Sequence, residues 1–149
     1  MAYELTFIYS PADEENDPNR HIKFSNVEVA GESFNLDAFP KILGKLRKGE
    51  TKTLEDVAAV LIREPNNLRD RNAVGVHLMS TDGTARQVGH LSRKDAEDYL
   101  DTIKKLEERT TKNVGCIAAV YGRGKLHLLG KPVYRVTLSL PKDAVELAK

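Results

Sequence analysis

Tyr3, Leu5, Phe7 and Tyr9 alternate with smaller or polar residues, the two-residue period of a strand with one buried face. Pro11 to Arg20 is acidic, carries two prolines and has no periodicity, which predicts an exposed loop. A second extended segment runs from His21 to Ala30. In it Ile22 and Phe24 give way to Val27 and Val29, so the buried parity switches and a bulge is expected near Ser25-Asn26. After Gly31 the spacing of Phe39, Ile42, Leu43 and Leu46 is that of one helix face. Asp37 is expected to cap this short helix and Pro40 to sit in its first turn, where a missing N–H costs little. Gly49 should end it.

Asp56 to Arg63 is a near-continuous apolar strand, and Ala73 to Leu78 is another, with Val74, Val76 and Leu78 on one face. The turn formers of Glu64 to Asn72 join them. Thr81-Asp82-Gly83-Thr84 is a hairpin turn into the strand Arg86 to Leu91, so these three strands should form a meander. Ser92 with Asp95 three residues on resembles a capping box, opening a helix that buries Ala96, Tyr99, Leu100, Ile103 and Leu106. Two last strands, Asn113 to Tyr121 and Val133 to Leu140, flank a glycine-rich basic connection, and Asp143 to Lys149 forms a frayed helical turn. The pattern predicts an α+β, mainly β fold: a small OB-like or SH3-like β-barrel of about six or seven strands with two α-helices.

The 149 residues, 40% hydrophobic and 30% charged, suit one buried core, so residues 1–149 are read as a single domain. The lone Cys116, inside an apolar run, forms neither an internal disulfide nor a cysteine-based zinc site and reads as a small buried hydrophobe. No stretch approaches the roughly 20 apolar residues of a membrane span, and Met1 to Leu5 lacks the start of a signal peptide, so a cytoplasmic protein with no membrane partner is expected. The net charge of +1 conceals an asymmetry. Glu4, Asp13, Glu14, Glu15 and Asp17 stand against Arg20 alone near the start, whereas Asn113 to Pro141 carries Arg123, Lys125, Lys131 and Arg135 with no acid. A basic C-terminal hairpin suits phosphates; solvated faces on opposite sides of a neutral protein fit the same numbers.

Catalytic motifs are missing: there is no GxSxG, P-loop, HExxH or paired-cysteine pattern, and His21, His77, His90 and His127 lie too far apart in sequence for a local ligand set. No enzyme activity, metal or cofactor is expected. The informative block is Leu61-Ile62-Arg63-Glu64-Pro65-Asn66-Asn67-Leu68-Arg69-Asp70-Arg71-Asn72-Ala73-Val74, followed by Gln87-Val88-Gly89-His90-Leu91-Ser92-Arg93 and preceded by Val29-Ala30-Gly31-Glu32-Ser33-Phe34. This ordered set resembles the HIRAN family, with its early valine-x-glycine, its central R-E-P-x-N-x-x-D-x-N-A-V core and its V-G-[HY]-L strand leading into a helix. The resemblance covers about residues 27–140 and leaves the N-terminal strand and acidic loop, 1–21, outside.

The resemblance implies a stand-alone or helicase- and nuclease-associated barrel that grips the 3′ end of single-stranded DNA in repair, restriction or phage-related DNA processing. Single-stranded DNA or DNA ends, and a helicase or nuclease, are the implied partners. Asp70 matches the family aspartate, whose ionised carboxylate accepts from a terminal sugar hydroxyl and repels a phosphate; Asn72 assists, or bonds its own loop. Phe34 and Tyr121 match aromatics that stack on bases, or are core residues. Asn35 replaces the second aromatic of the Phe34 pair, and Arg69 replaces the aromatic before the aspartate; a guanidinium can stack on a base and pair with phosphate. His90 and Arg93 match phosphate-binding positions at a strand-to-helix junction, where free amides favour anions. His90 fits a half-buried structural histidine equally well. Arg63, Arg71 and Lys94 add charge to such a site, or are ordinary solvated surface residues. A regulatory or protein-interaction domain that kept the fold without the DNA site is the main alternative, with an unrecognised hydrolase behind it.

Overall fold

The computed structural model describes residues 5–8, 24–110 and 112–141. Its strands are β1 (Leu5–Phe7), β2 (Phe24–Ala30), β3 (Thr51–Arg63), β4 (Val74–Met79), β5 (Ala85–Leu91), β6 (Asn113–Arg123) and β7 (Val133–Pro141). Six of them close an antiparallel barrel in the order β6-β3-β4-β5-β2-β7, with β7 pairing back onto β6, and β1 adds in parallel to the start of β6. This is the small, mainly β barrel that the alternating pattern predicts. The expected loop at Pro11–Arg20 and the C-terminal turn at Asp143–Lys149 lie outside the described residues.

Alternation fills the barrel. Val27 and Val29, Val74, Val76 and Leu78, Val114, Cys116, Ala118 and Val120, and Val136, Leu138 and Leu140 all point inward and are buried. Burial pushes the Cys116 thiol up to about 12, so it stays neutral and inert within the core. Two bulges adjust the alternation. In β3, Glu55 and Asp56 stand opposite the single residue Ala119, and Asp56 takes a left-handed φ of 59°. In β4–β5 the register shifts between Val76 and His77.

The bulge expected near Ser25-Asn26 does not occur. β2 pairs with β7 without interruption from Phe24–Pro141 to Glu28–Thr137, so Phe24 shares the outer face with Asn26 and Glu28 and is 40% exposed. The helix expected after Gly31 is also shorter than its pattern. Two 3-10 turns, Glu32–Phe34 and Leu36–Ala38, lead to a single α-helical turn, α1 (Pro40–Leu43). Asp37 lies inside the second 3-10 turn rather than capping, and the helix stops at Gly44, not Gly49. Gly44 adopts φ 82° and ψ 173°, a conformation that cannot continue a right-handed helix. The apolar spacing is satisfied without a long helix, because Phe39 stacks flat on Tyr134 at 4.1 Å while Ile42 and Leu43 enter the core.

The second helix, α2 (Arg93–Arg109), begins as the sequence predicts. Ser92 Oγ accepts from the Asp95 backbone N–H at 3.1 Å and donates to the Asp95 carboxylate at 2.9 Å. Ala96, Tyr99 and Ile103 are buried along with Thr102, while Leu100 and Leu106, expected to be buried, are half-buried. The Tyr99 hydroxyl donates to the Pro141 carbonyl at 3.0 Å and ties the helix to the last residue of β7. Among the described residues, no helix is long and apolar enough to cross a membrane.

Candidate nucleic-acid interface

The loop from Glu64 to Ala73 is held by its own polar side chains. Asn67 Oδ1 accepts from the backbone N–H groups of Arg69 and Asp70, at 2.9 and 3.3 Å, and Asp70 Oδ1 accepts from that of Asn72 at 2.9 Å. The loop ends are pinned by Glu64 N–H to the Ala73 carbonyl and Ala73 N–H to the Asp70 carbonyl. This shape turns the second oxygen of Asp70 toward the start of α2, 3.8 Å from Arg93 Nε. At that separation the pair is loosely held. The Asp70 side chain keeps 24% of its surface open and that of Arg93 keeps 74%, so a hydroxyl can reach the carboxylate and a phosphate the guanidinium.

His90 lies one strand-to-helix step from Arg93, but its Nε2 faces Glu64, 3.0 Å from each carboxylate oxygen and 3.3 Å from Gln87 Nε2. Gly75 makes room for this arrangement, since a Cβ there would stand 2.6 Å from Glu64 Oε2. His77 flanks the same spot. Burial pushes the Glu64 carboxyl up, but hydrogen bonds from Asn67 and His90 and the neighbouring imidazole charges outweigh it, leaving Glu64 below the usual carboxylate range. His77 is held below its ordinary value, first by burial, with the Glu64 charge opposing and His90 adding. Glu64, His77 and Gln87 therefore belong to this polar cluster; Glu64 stands in the R-E-P core without a role assigned to it there, and His77 and Gln87 are marked by no motif. The one available signal is the glycine in an otherwise apolar strand, which marks space above β4.

The remaining residues divide. Phe34 is 90% exposed on the turn that follows β2, and β2 meets β5 where Ala30 stands opposite His90. Beside it, Asn35 is committed to its own turn, donating to the Gly31 carbonyl at 2.9 Å. Arg69 and Asn72 are exposed on the loop. Arg63 is occupied elsewhere, donating through Nε and Nη2 to Glu107 Oε2 at 2.9 and 2.7 Å. Tyr121 stands apart from Asp70, on the outer face of β6, where it pairs with Arg135 and with Thr53.

Two adjoining grooves on the outer face connect these places. One, about 370 Å³, is lined by Thr53, Tyr121, Arg123, Arg135, Glu28 and Thr137. The other, about 520 Å³, shares Glu28, Arg135 and Thr137 and reaches Gly31, Glu32 and Ser33 at the base of the Phe34 turn. Glu32 accepts from the Val136 N–H at 3.3 Å, and its carboxyl is raised, chiefly by burial. A trough thus crosses β6, β7 and β2 and ends beside the strand that carries His90. Its lining includes the guanidinium groups of Arg123 and Arg135, the rings of Tyr121 and Tyr134, and the carboxyl groups of Glu28 and Glu32. Among the described residues no group of three His, Cys, Asp or Glu side chains is placed to hold a metal ion. Compared with protein-family models, curated proteins and solved structures, the chain gives no match.

Proposed function

We propose that this protein is a non-catalytic, HIRAN-like module that binds single-stranded DNA and recognises its 3′ end, acting as a targeting part in DNA repair, restriction or phage-related DNA processing. The observation that carries the proposal is the Asp70–Arg93 pair. A loop and a helix start more than twenty residues apart in sequence present one accessible carboxylate beside one accessible guanidinium, at the end of a helix whose free amides favour anions. Such a pair suits a terminal nucleotide. The carboxylate takes the hydrogen bond of a free 3′-hydroxyl and disfavours a 3′-phosphate, while Arg93 holds the preceding phosphate. Phe34 offers a flat face to a base from the turn after β2, and the trough offers Arg135, Arg123 and Tyr121 to further nucleotides.

Fluorescence anisotropy with a short labelled strand tests this. Binding should weaken steeply with salt, and a strand ending in 3′-phosphate should bind about tenfold more weakly than one ending in hydroxyl. Asp70→Asn should bring the two strands to the same affinity, because the amide keeps the hydrogen bond to Asn72 N–H but loses the charge. No binding at low salt would end the proposal, and equal binding of both strands by the unaltered protein would remove its end-recognition part.

A further inference from the structure

At the end of the barrel away from Asp70, two loops distant in sequence are joined. Gly49 N–H donates to the Lys125 carbonyl at 3.2 Å and Gly124 N–H to the Glu50 carbonyl at 2.8 Å, extending the β3–β6 ladder past Thr51–Arg123. The union collects Lys45, Arg47 and Lys48 from one loop and Arg123, Lys125 and Lys131 from the other. Glu50, the acid among them, accepts from the Arg47 backbone N–H at 2.8 Å. Between Lys125 and Lys131 on the second loop stand three leucines in water, Leu126 at 45%, Leu128 at 84% and Leu129 at 96% exposure, with Lys125 Nζ donating to the Leu128 carbonyl at 3.4 Å. Large aliphatic side chains left so open and flanked on joined loops by charges of mostly one sign mark a contact surface.

The charge selects the occupant. A second copy of this chain meeting the same surface would oppose cation to cation, whereas a polyanion is attracted. The trough decides between polyanions, since Arg123 and Tyr121 line its near mouth at the foot of the leucine loop. We infer, resting on the function proposed above, that this end receives the junction between a single-stranded 3′ tail and its duplex. The tail lies in the trough with its terminus at Asp70, and Leu128 and Leu129 press on the last base pair. The two groups of lysines and arginines take the phosphates of the two duplex strands. Apolar side chains set against base steps and flanked by phosphate-binding cations are an established means of engaging duplex DNA.

The protein should therefore prefer a duplex with a 3′ tail of about six nucleotides over the same tail as a free strand, by about tenfold in affinity. The double variant Leu128→Ser, Leu129→Ser should lose that preference and retain the affinity for the free strand; both side chains are exposed, so the fold is spared. Lys45→Gln with Lys48→Gln should likewise weaken the tailed duplex more than the strand. Equal affinity for the two ligands, or a preference that survives the leucine change, overturns the junction site while leaving strand binding intact. Failure to bind either ligand overturns the proposed function and the junction site together. Leucine-dependent binding to phosphatidylserine vesicles, with no preference for the tailed duplex, would assign the surface to lipid instead.

Discussion

The polar cluster over Gly75 gives single residues a measurable signature in pH. His77 is held below its ordinary 6.5, so the unfolded chain takes up a proton at pH values where the folded one does not. Its contribution to stability is complete above 6.5 and declines as pH falls through that value. Glu64, held below its ordinary 4.5, adds stability that is present above 4.5 and is lost as pH falls through its lower folded value. Urea midpoints measured from pH 7.5 down to 2.5 should fall in two stages, and His77→Gln should remove the first while a fall below 4.5 remains. A midpoint unchanged between pH 7.5 and 5 in the unaltered protein would contradict this. The resemblance to a family pattern, rather than spacing or periodicity, points to Asp70, His90 and Arg93. It passed over Glu64, His77 and Gln87, whose meeting depends on the register shift between Val76 and His77 and on the space above a glycine. It also gave His90 an open choice between phosphate and structure, and the observed partner of its Nε2 is a carboxylate.

Elements that read cleanly are those whose ends carry chemistry of their own. Ser92 and Asp95 mark the start of α2 because the cap is made within four residues, whereas the apolar spacing of Phe39 to Leu46 imitates a helix that Gly44 interrupts. Strand β3 is longer than its apolar run for a related reason. Its first half alternates with the opposite parity, and the bulge at Glu55-Asp56 reconciles the two halves, sending Leu54 inward opposite Val120 and Thr53 outward into the trough beside Tyr121. A left-handed residue at the bulge is the cost of that switch. Asp56→Gly should hold or raise stability by up to about 1 kcal/mol, since glycine takes φ 59° without strain. Asp56→Val should cost about 1–2 kcal/mol in urea unfolding, because a β-branched side chain clashes there. If valine were tolerated, the bulge would have to move, and Thr53 would leave the trough with it.

For the molecule as a whole, the local hairpins β3-β4-β5 were legible, but closure was not. The pairing of β2 with β7, which helps to close the barrel, and the addition of β1 to β6 join segments about a hundred residues apart and follow no turn signal. The charge map was half legible for the same reason. The basic character of Asn113 to Pro141 is plain in sequence, yet only the closed barrel sets Arg135 and Arg123 in one trough, faces them with Glu28 from β2, and joins their loop to Lys45, Arg47 and Lys48. That composite surface gives a salt-dependent prediction. If Arg123 and Arg135 each neutralise a phosphate, changing both to Gln should make the dependence of log affinity on log salt shallower by about 1.4, at about 0.7 per phosphate of a single strand. Glu28→Gln should act differently: it releases no counterion, so the slope stays, but removing a carboxylate from the path of the phosphates should raise affinity about threefold at low salt. Titrations of a labelled strand over a range of salt concentrations separate the two effects. An unchanged slope in the double arginine variant would take the strand out of the trough. Weaker binding by Glu28→Gln would mean that the carboxylate contacts the ligand through a base or sugar donor rather than opposing its backbone.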